Sequence, residues 1–304
     1  EADKKTKISF KRKFSAKKIL IISTGGTFNC VQTEEGLLPE FNENELRKRL
    51  QPVTSECELT FENLLNIDSA NILPKHWKMI AECINKHYKS QDGIVIIHGT
   101  DTLAYTSSML SHMLKGIPIP VVITGSQLSI INPVADALEN MRIAIYMAKN
   151  NYPGVFVAFN RKIMLAKCVS KTHSKSFNTF ESINCGNVAE VNAYGIQVDE
   201  KLVPKVDPFF RVKSNICDKV FLLKITPGLS PDIIDYLIEK DYTTAVCTTS
   251  LLLECRCTIL GQSLGTIGNG SDAKRRAIPR ISFRFGYGHS KGKCGRRPCN
   301  GFYL

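Results

Sequence analysis

No stretch of this 304-residue chain approaches the roughly 20 consecutive apolar residues that a membrane-spanning helix needs. A helical membrane protein is therefore excluded, and no membrane partner is expected. The opening residues Glu1 to Lys18 also lack the apolar core of a secretory signal, which makes a cytoplasmic home the expectation for the segment at hand. Its first residue is Glu rather than Met, so this expectation does not reach further upstream. CxxC pairs are missing as well. Of the eleven cysteines, six are scattered through the body at Cys30, Cys57, Cys83, Cys168, Cys185 and Cys217, a pattern that predicts buried free thiols in a reducing compartment. Near the end, Cys255 with Cys257 and Cys294 with Cys299 have spacings unlike a zinc knuckle, and no metal is expected there.

The net charge of +12 suggests a nucleic-acid partner until it is divided along the chain. Residues 1–18 carry +6, residues 242–304 carry +8, and the body between them is left at −2. Aromatic residues do not interleave with the basic ends as base stacking would require. The ends thus read as solvated arms, and nucleic-acid binding would have to reveal itself as salt-sensitive affinity.

What is present is a series of apolar runs rich in β-branched residues, at Ile19–Ile22, Ile94–Ile97, Ile119–Ile123, Val155–Phe159 and Val220–Ile225. Helical periods lie between several of them. After Pro74 the residues Trp77, Ile80, Ala81, Ile84 and Tyr88 share one face, and after Pro133 so do Val134, Ala137, Leu138, Met141, Ile145 and Ala148. The alternation predicts an α/β fold: a mostly parallel sheet flanked by helices in a large N-terminal domain. The expected divisions are a basic tail over 1–17, the large domain over 18–190, a linker over 191–217, and a small C-terminal α/β domain over 218–304. In that last domain Ser230 suits the N-cap of a helix over 231–239. The pattern becomes atypical after about Tyr242, where arginine, glycine and cysteine accumulate, and the small domain reads as incomplete.

Three segments carry chemistry. The run Lys18–Thr27 leads an apolar strand into Thr24-Gly25-Gly26-Thr27, which presents bare backbone and two candidate hydroxyls at a strand's carboxyl end. The run Gly93–Thr102 repeats the layout and ends in His98-Gly99-Thr100-Asp101-Thr102. Thr100 and Asp101 suit either a reactive rim or the N-cap of the next helix, and both readings stand at this level. The third segment is Val169-Ser170-Lys171-Thr172-His173. A lysine buried beside a carboxylate and a hydroxyl can act as a base.

TGGT at Thr24–Thr27, Asp68-Ser69, HGTDT at His98–Thr102, TGSQ at Thr124–Gln127 and Lys171 occur in the order and spacing of the bacterial-type L-asparaginases. Over about 17–242 the chain resembles that family, and the cytosolic type I branch most of all. The resemblance implies hydrolysis of asparagine to aspartate and ammonia, with glutamine as a second candidate substrate, and neither cofactor nor metal. It implies Thr27 as nucleophile, Thr100 as a second hydroxyl linked to the base Lys171, and Ser69 and Asp101 on the substrate's α-carboxylate and α-ammonium. Asp68, Gly26 and Gly99 complete the expected binding site, and a homodimer or homotetramer is the implied assembly.

Two departures qualify the carry-over. Glu35-Gly36-Leu37-Leu38-Pro39 has leucine where many members carry a tyrosine after the TGGT turn. After Tyr242 nothing matches the strand and asparagine-bearing glycine-rich loop through which members complete a neighbour's site; Gly268-Asn269-Gly270 lies too far downstream. An altered reading frame or an unrelated exon would produce such a tail. The alternative expectation is then an impaired relative that binds ligand or partner without turnover.

Overall fold

Ile19, Leu20, Ile21 and Ile22 are all buried, and their alternation sends two side chains to each face of a sheet. A strand covered on both faces reads as one continuous apolar run rather than an alternating one. In the computed structural model this run is the centre of β1 (Lys17–Gly25). The structure describes residues 16–33, 36–39, 43–50, 54, 56–224, 226–242, 244–248 and 284–285. Residues 1–15 of the basic tail expected over 1–17, Glu35 and nearly all of the atypical tail lie outside the described residues, while Lys17 already belongs to β1.

The chain divides into two compact units, the first running to Ile216 and the second beginning at Cys217. In the first, β1 is followed by β2 (Cys30–Thr33), β3 (Gly36–Pro39), α1 (Glu43–Leu50), β4 (Cys57–Ile67), α2 (Pro74–His87) and β5 (Gly93–Ile97). Next come α3 (Leu103–Met113), β6 (Pro120–Thr124), α4 (Ala137–Lys149), β7 (Gly154–Phe159), β8 (Lys162–Leu165), β9 (Val169–Lys171), β10 (Phe180–Ser182), β11 (Ala189–Asn192) and β12 (Gly195–Val198). Eight strands form one sheet in the order β12-β11-β8-β7-β6-β5-β1-β4. The five from β7 to β4 are parallel, and the three beyond β7 are antiparallel. β2 and β3 make a separate hairpin straight after the TGGT turn.

Helices cover both faces of the sheet. Ile19, Ile21, Val95 and Val122 pack with Met141, Ala144 and Ile145 of α4 and with Leu46 and Leu50 of α1. On the other face Leu20, Ile22, Ile94 and Ile96 pack with Ile80 and Ile84 of α2 and Leu110 and Met113 of α3. Each fully buried aliphatic side chain contributes about 1.5–3 kcal/mol relative to exposure.

Three further expectations about the first unit need correction. Val134 is 72% exposed and stands before α4, which begins at Ala137. The cause is Asp136, whose carboxylate accepts the backbone N–H of Gln127 and so holds this stretch to the preceding loop. The expected linker over 191–217 supplies part of the first unit. β11 and β12 extend its sheet, Leu202 and Val203 pack on one core, and Phe210, Val212 and Ile216 on the other. Finally, Cys168 and Cys185 form a disulfide instead of two free thiols, because the antiparallel pairing of β9 with β10 brings them together. Cys57 and Cys83 are thiols, the latter buried.

The second unit contains β13 (Val220–Lys224), α5 (Asp232–Glu239), β14 (Thr244–Thr248) and β15 (Arg284–Phe285). Its three strands pair in parallel in chain order. The N-cap expected at Ser230 is corrected to Pro231, because the helix begins one residue later, at Asp232, whose backbone N–H donates to Ser230 Oγ at 3.3 Å.

Candidate active site

The five parallel strands stand in the order β4-β1-β5-β6-β7, so the second of them in sequence lies outside the first. The chain leaves β1 in one direction to reach β4 and returns past it to enter β5. Between β1 and β5 the topology switches, and a crevice opens beyond their carboxyl ends where open α/β sheets hold ligands. Both glycine-threonine segments end at this point.

Glycine is required where these segments meet. Gly25 and Gly26 have φ of +100° and +82°, a region that side chains other than glycine rarely adopt. A Cβ on Gly26 would land on the backbone of Gly99, and a Cβ on Gly99 would stand 2.6 Å from the Ser69 hydroxyl. The ends of β1, β5 and β4 therefore touch through Gly26, Gly99 and Ser69. Ser69 is 3% exposed, and its carbonyl accepts the Thr102 hydroxyl at 2.7 Å.

The two candidate hydroxyls of the first turn have different surroundings. Thr24 is buried and donates to the Ile97 carbonyl at 2.9 Å, a bond that joins β1 to β5. Thr27 is half-buried and opens the single 3₁₀ turn Thr27–Asn29. No hydrogen bond joins it to Thr100 or Lys171, although it follows directly on Gly26 at the same rim.

Thr100 and Asp101 do not cap α3. The N-cap position is Thr102, and no side-chain hydrogen bond closes that helix end. Instead the Lys171 ammonium lies 3.1 Å from Thr100 Oγ1 and 2.7 Å from Asp101 Oδ1. Thr100 is buried, the Lys171 side chain is 19% exposed and that of Asp101 is 62% exposed. So open an ion pair contributes little stability. Its arrangement instead leaves a carboxylate available to a ligand.

Lys171 is positioned by a hairpin. It lies opposite Phe180 in the antiparallel pair β9/β10, and Phe180 packs edge-on against Phe159 with centroids 5.0 Å apart. The Cys168–Cys185 disulfide closes the base of the hairpin, while the Gln127 amide donates to Thr179 Oγ1 at 2.6 Å near its tip. Sequence reasoning missed the positioning parts Thr179, Phe180 and the cysteine pair. The signal that would have found them is the pair of short strands around a polar turn.

Asp68 is exposed and accepts the Ala70 N–H at 2.9 Å, capping the turn that holds Ser69. His98 is fully buried, and burial pushes its imidazole pKa down to about 4, so the ring is neutral at pH 7. Its Nδ1 meets the Gly99 carbonyl at 2.7 Å, and its Nε2 has no partner. A cavity of about 810 Å³ opens beside Asp101 and Lys171, walled by Trp77, Tyr105, His112 and His173. Thr27, Ser69 and Thr100 do not line it.

Residues 18–204 match the family model described as "Asparaginase, N-terminal". The chain is 40% identical over 222 residues to the L-asparaginase of Thermococcus kodakarensis, covering 71% of this chain and 66% of that protein. The solved thermostable L-asparaginase from the same organism superimposes with a TM-score of 0.68 at 36% identity, covering 76% of this chain and 70% of the other. A glutamyl-tRNA(Gln) amidotransferase component of Methanosphaera stadtmanae is 31% identical over 259 residues, 80% of this chain and 59% of its own length. The chain thus spans just under two thirds of the first of these curated relatives and less of the second.

Proposed function

The chain belongs to the bacterial-type asparaginase family, and from that premise we propose that it hydrolyses L-asparagine to L-aspartate and ammonia through a threonine acyl-enzyme. One observation carries the reading: Lys171 reaches both Thr100 and Asp101 at the switch point where Gly26, Gly99 and Ser69 meet.

Asp101 pairs with Lys171 in the free protein. A substrate α-ammonium arriving at the exposed Asp101 competes for the same carboxylate, and the lysine then loses its counter-charge. In this reading Lys171 then serves as the base that takes the Thr100 proton across 3.1 Å. Ser69 receives the α-carboxylate. The Thr27 hydroxyl attacks the side-chain amide carbon, and its oxygen forms the new ester as the C–N bond breaks. Its proton leaves on the departing ammonia. Water, activated through Thr100 and Lys171, then cleaves the ester to give aspartate and restore the threonine. Backbone N–H groups near Thr100 hold the oxyanion in both steps. Asp68, Gly26 and Gly99 shape the binding side, the glycines by admitting substrate close to the main chain. The site works in a cytoplasmic homo-oligomer in this reading.

The test is ammonia release by purified protein given L-asparagine or L-glutamine. Release that disappears in Thr27→Ala supports the proposal, and a folded protein that releases none from either amide refutes it. The likeness to an amidotransferase component favours a second reading, in which the ammonia passes to a partner protein rather than to bulk water. In an impaired relative, by contrast, asparagine would bind without turnover.

A further inference from the structure

Away from the crevice, β4 and α2 gather three metal-ligating side chains that the amide chemistry does not use. Cys83 and His87 are four residues apart on α2 and so share one helix face. Glu62 on β4 stands opposite them. One ligand atom from each residue lies within 4.8 Å of the other two. Cys83 is 7% exposed, and the side chains of His87 and Glu62 are 23% and 31% exposed.

The His87 ring supplies the telling detail. Its Nε2 is 2.9 Å from Glu62 Oε2, yet this buried atom makes no hydrogen bond. The Cys83 thiol hydrogen-bonds to the same Glu62 carboxylate, so sulfur, ring nitrogen and carboxylate oxygen gather in one place while the imidazole nitrogen is left without a partner.

We propose that Glu62, Cys83 and His87 form a site for a divalent transition metal of zinc type, with water as fourth ligand. A thiolate, an imidazole and a carboxylate together suit zinc(II), whereas the sulfur disfavours magnesium and calcium. The charges balance, since thiolate and carboxylate neutralise the dication. Zinc bonds of about 2.0–2.3 Å set tetrahedral donors roughly 3.5 Å apart, so modest rotamer changes close the present spacing. The bound ion ties α2 to the outermost strand of the sheet, across the connection that carries Ser69.

The test uses the whole chain, stripped with chelator, kept reduced with a phosphine and titrated with cobalt(II) alone. The expected result is a thiolate-to-cobalt charge-transfer absorption together with intense tetrahedral visible bands, both abolished by equimolar zinc(II). Cys83→Ser removes the charge-transfer band. His87→Gln weakens cobalt binding at least about tenfold, since loss of a partner outside the ligand set already costs that much. His87 is partly exposed, so this variant decides the matter if circular dichroism shows Cys83→Ser unfolded. Absence of the band at saturating cobalt overturns the site. So does a band that persists unchanged in the folded variants, because the metal then sits on other cysteines.

Discussion

The Lys171 ammonium lies 3.1 Å from the Thr100 hydroxyl although 71 residues separate the two in sequence. Neither residue is exceptional in its own segment. One lies three residues beyond the parallel strand β5, the other ends a three-residue strand of a hairpin, and their contact turns two ordinary side chains into a relay.

Replacing Lys171 with Met should lower kcat about 10²- to 10⁴-fold, the usual contribution of a positioned acid or base. KM should change far less. Steady-state ammonia release checks both values, and an unchanged kcat would remove Lys171 from the reaction.

Asp101→Asn keeps the shape of the side chain and deletes the charge offered to an α-ammonium. A hydrogen bond to a charged group is worth about 1.5–3 kcal/mol, so KM for L-asparagine should rise about ten- to a hundredfold. An amide substrate lacking the α-amino group should show no such difference between wild type and variant.

His98 gives stability a pH dependence. Its pKa is about 4 in the folded chain, against about 6.5 unfolded. Between those values the unfolded state binds more protons, so stability is complete above pH 6.5, falls as pH drops toward 4, and levels off below. The full effect is about 3 kcal/mol. Urea melts at pH 7 and pH 4.5 should show a smaller difference in His98→Gln than in the wild type. An equal difference would place the acid sensitivity elsewhere.

The Cys168–Cys185 disulfide encloses a separation of 17 residues, a loop size for which cross-linking contributes about 3 kcal/mol. Reduction, or Cys185→Ser, should lower the melting temperature and also reduce kcat, because the same hairpin carries Lys171. Alkylation of denatured protein with and without prior reduction reports how much of the pair is bonded. A loss of stability with kcat intact would separate the hairpin base from the chemistry.

Gly26→Ala should abolish turnover and destabilise the fold. The position combines a φ of +82° with contact against the Gly99 backbone, and neither can yield locally. Thermal melts and ammonia release measured on the same preparation test this. A stable, active alanine variant would contradict the close approach of the two strand ends.

Much of the central sheet was legible because strands buried on both faces must be apolar throughout, as Ile19–Ile22 and Ile94–Ile97 are. β4 was not legible. It lies at the sheet edge, and its exposed Glu58 and Thr60 alternate with buried or half-buried neighbours in a strand too polar to stand out. β11 and β12 were read as linker for the same reason, since only their inward residues, such as Ala189 and Val191, meet the core. The candidate site was partly legible. TGGT and HGTDT announced strand ends with hydroxyls, but the choice between a helix cap and a reactive rim for Thr100 and Asp101 depended on what approached them.

The sequence alone determined which segments become buried strands, where glycine permits tight turns, and which residues carry usable chemistry. Those properties follow from side-chain shape and near neighbours. Only the tertiary structure decided that β1 and β5 lie side by side at the switch point, that Thr24 is occupied by the Ile97 carbonyl while Thr27 is not, and that a hairpin delivers Lys171 to Thr100. These are relations across about 70 residues, set by strand pairing and core packing, and no local propensity encodes them.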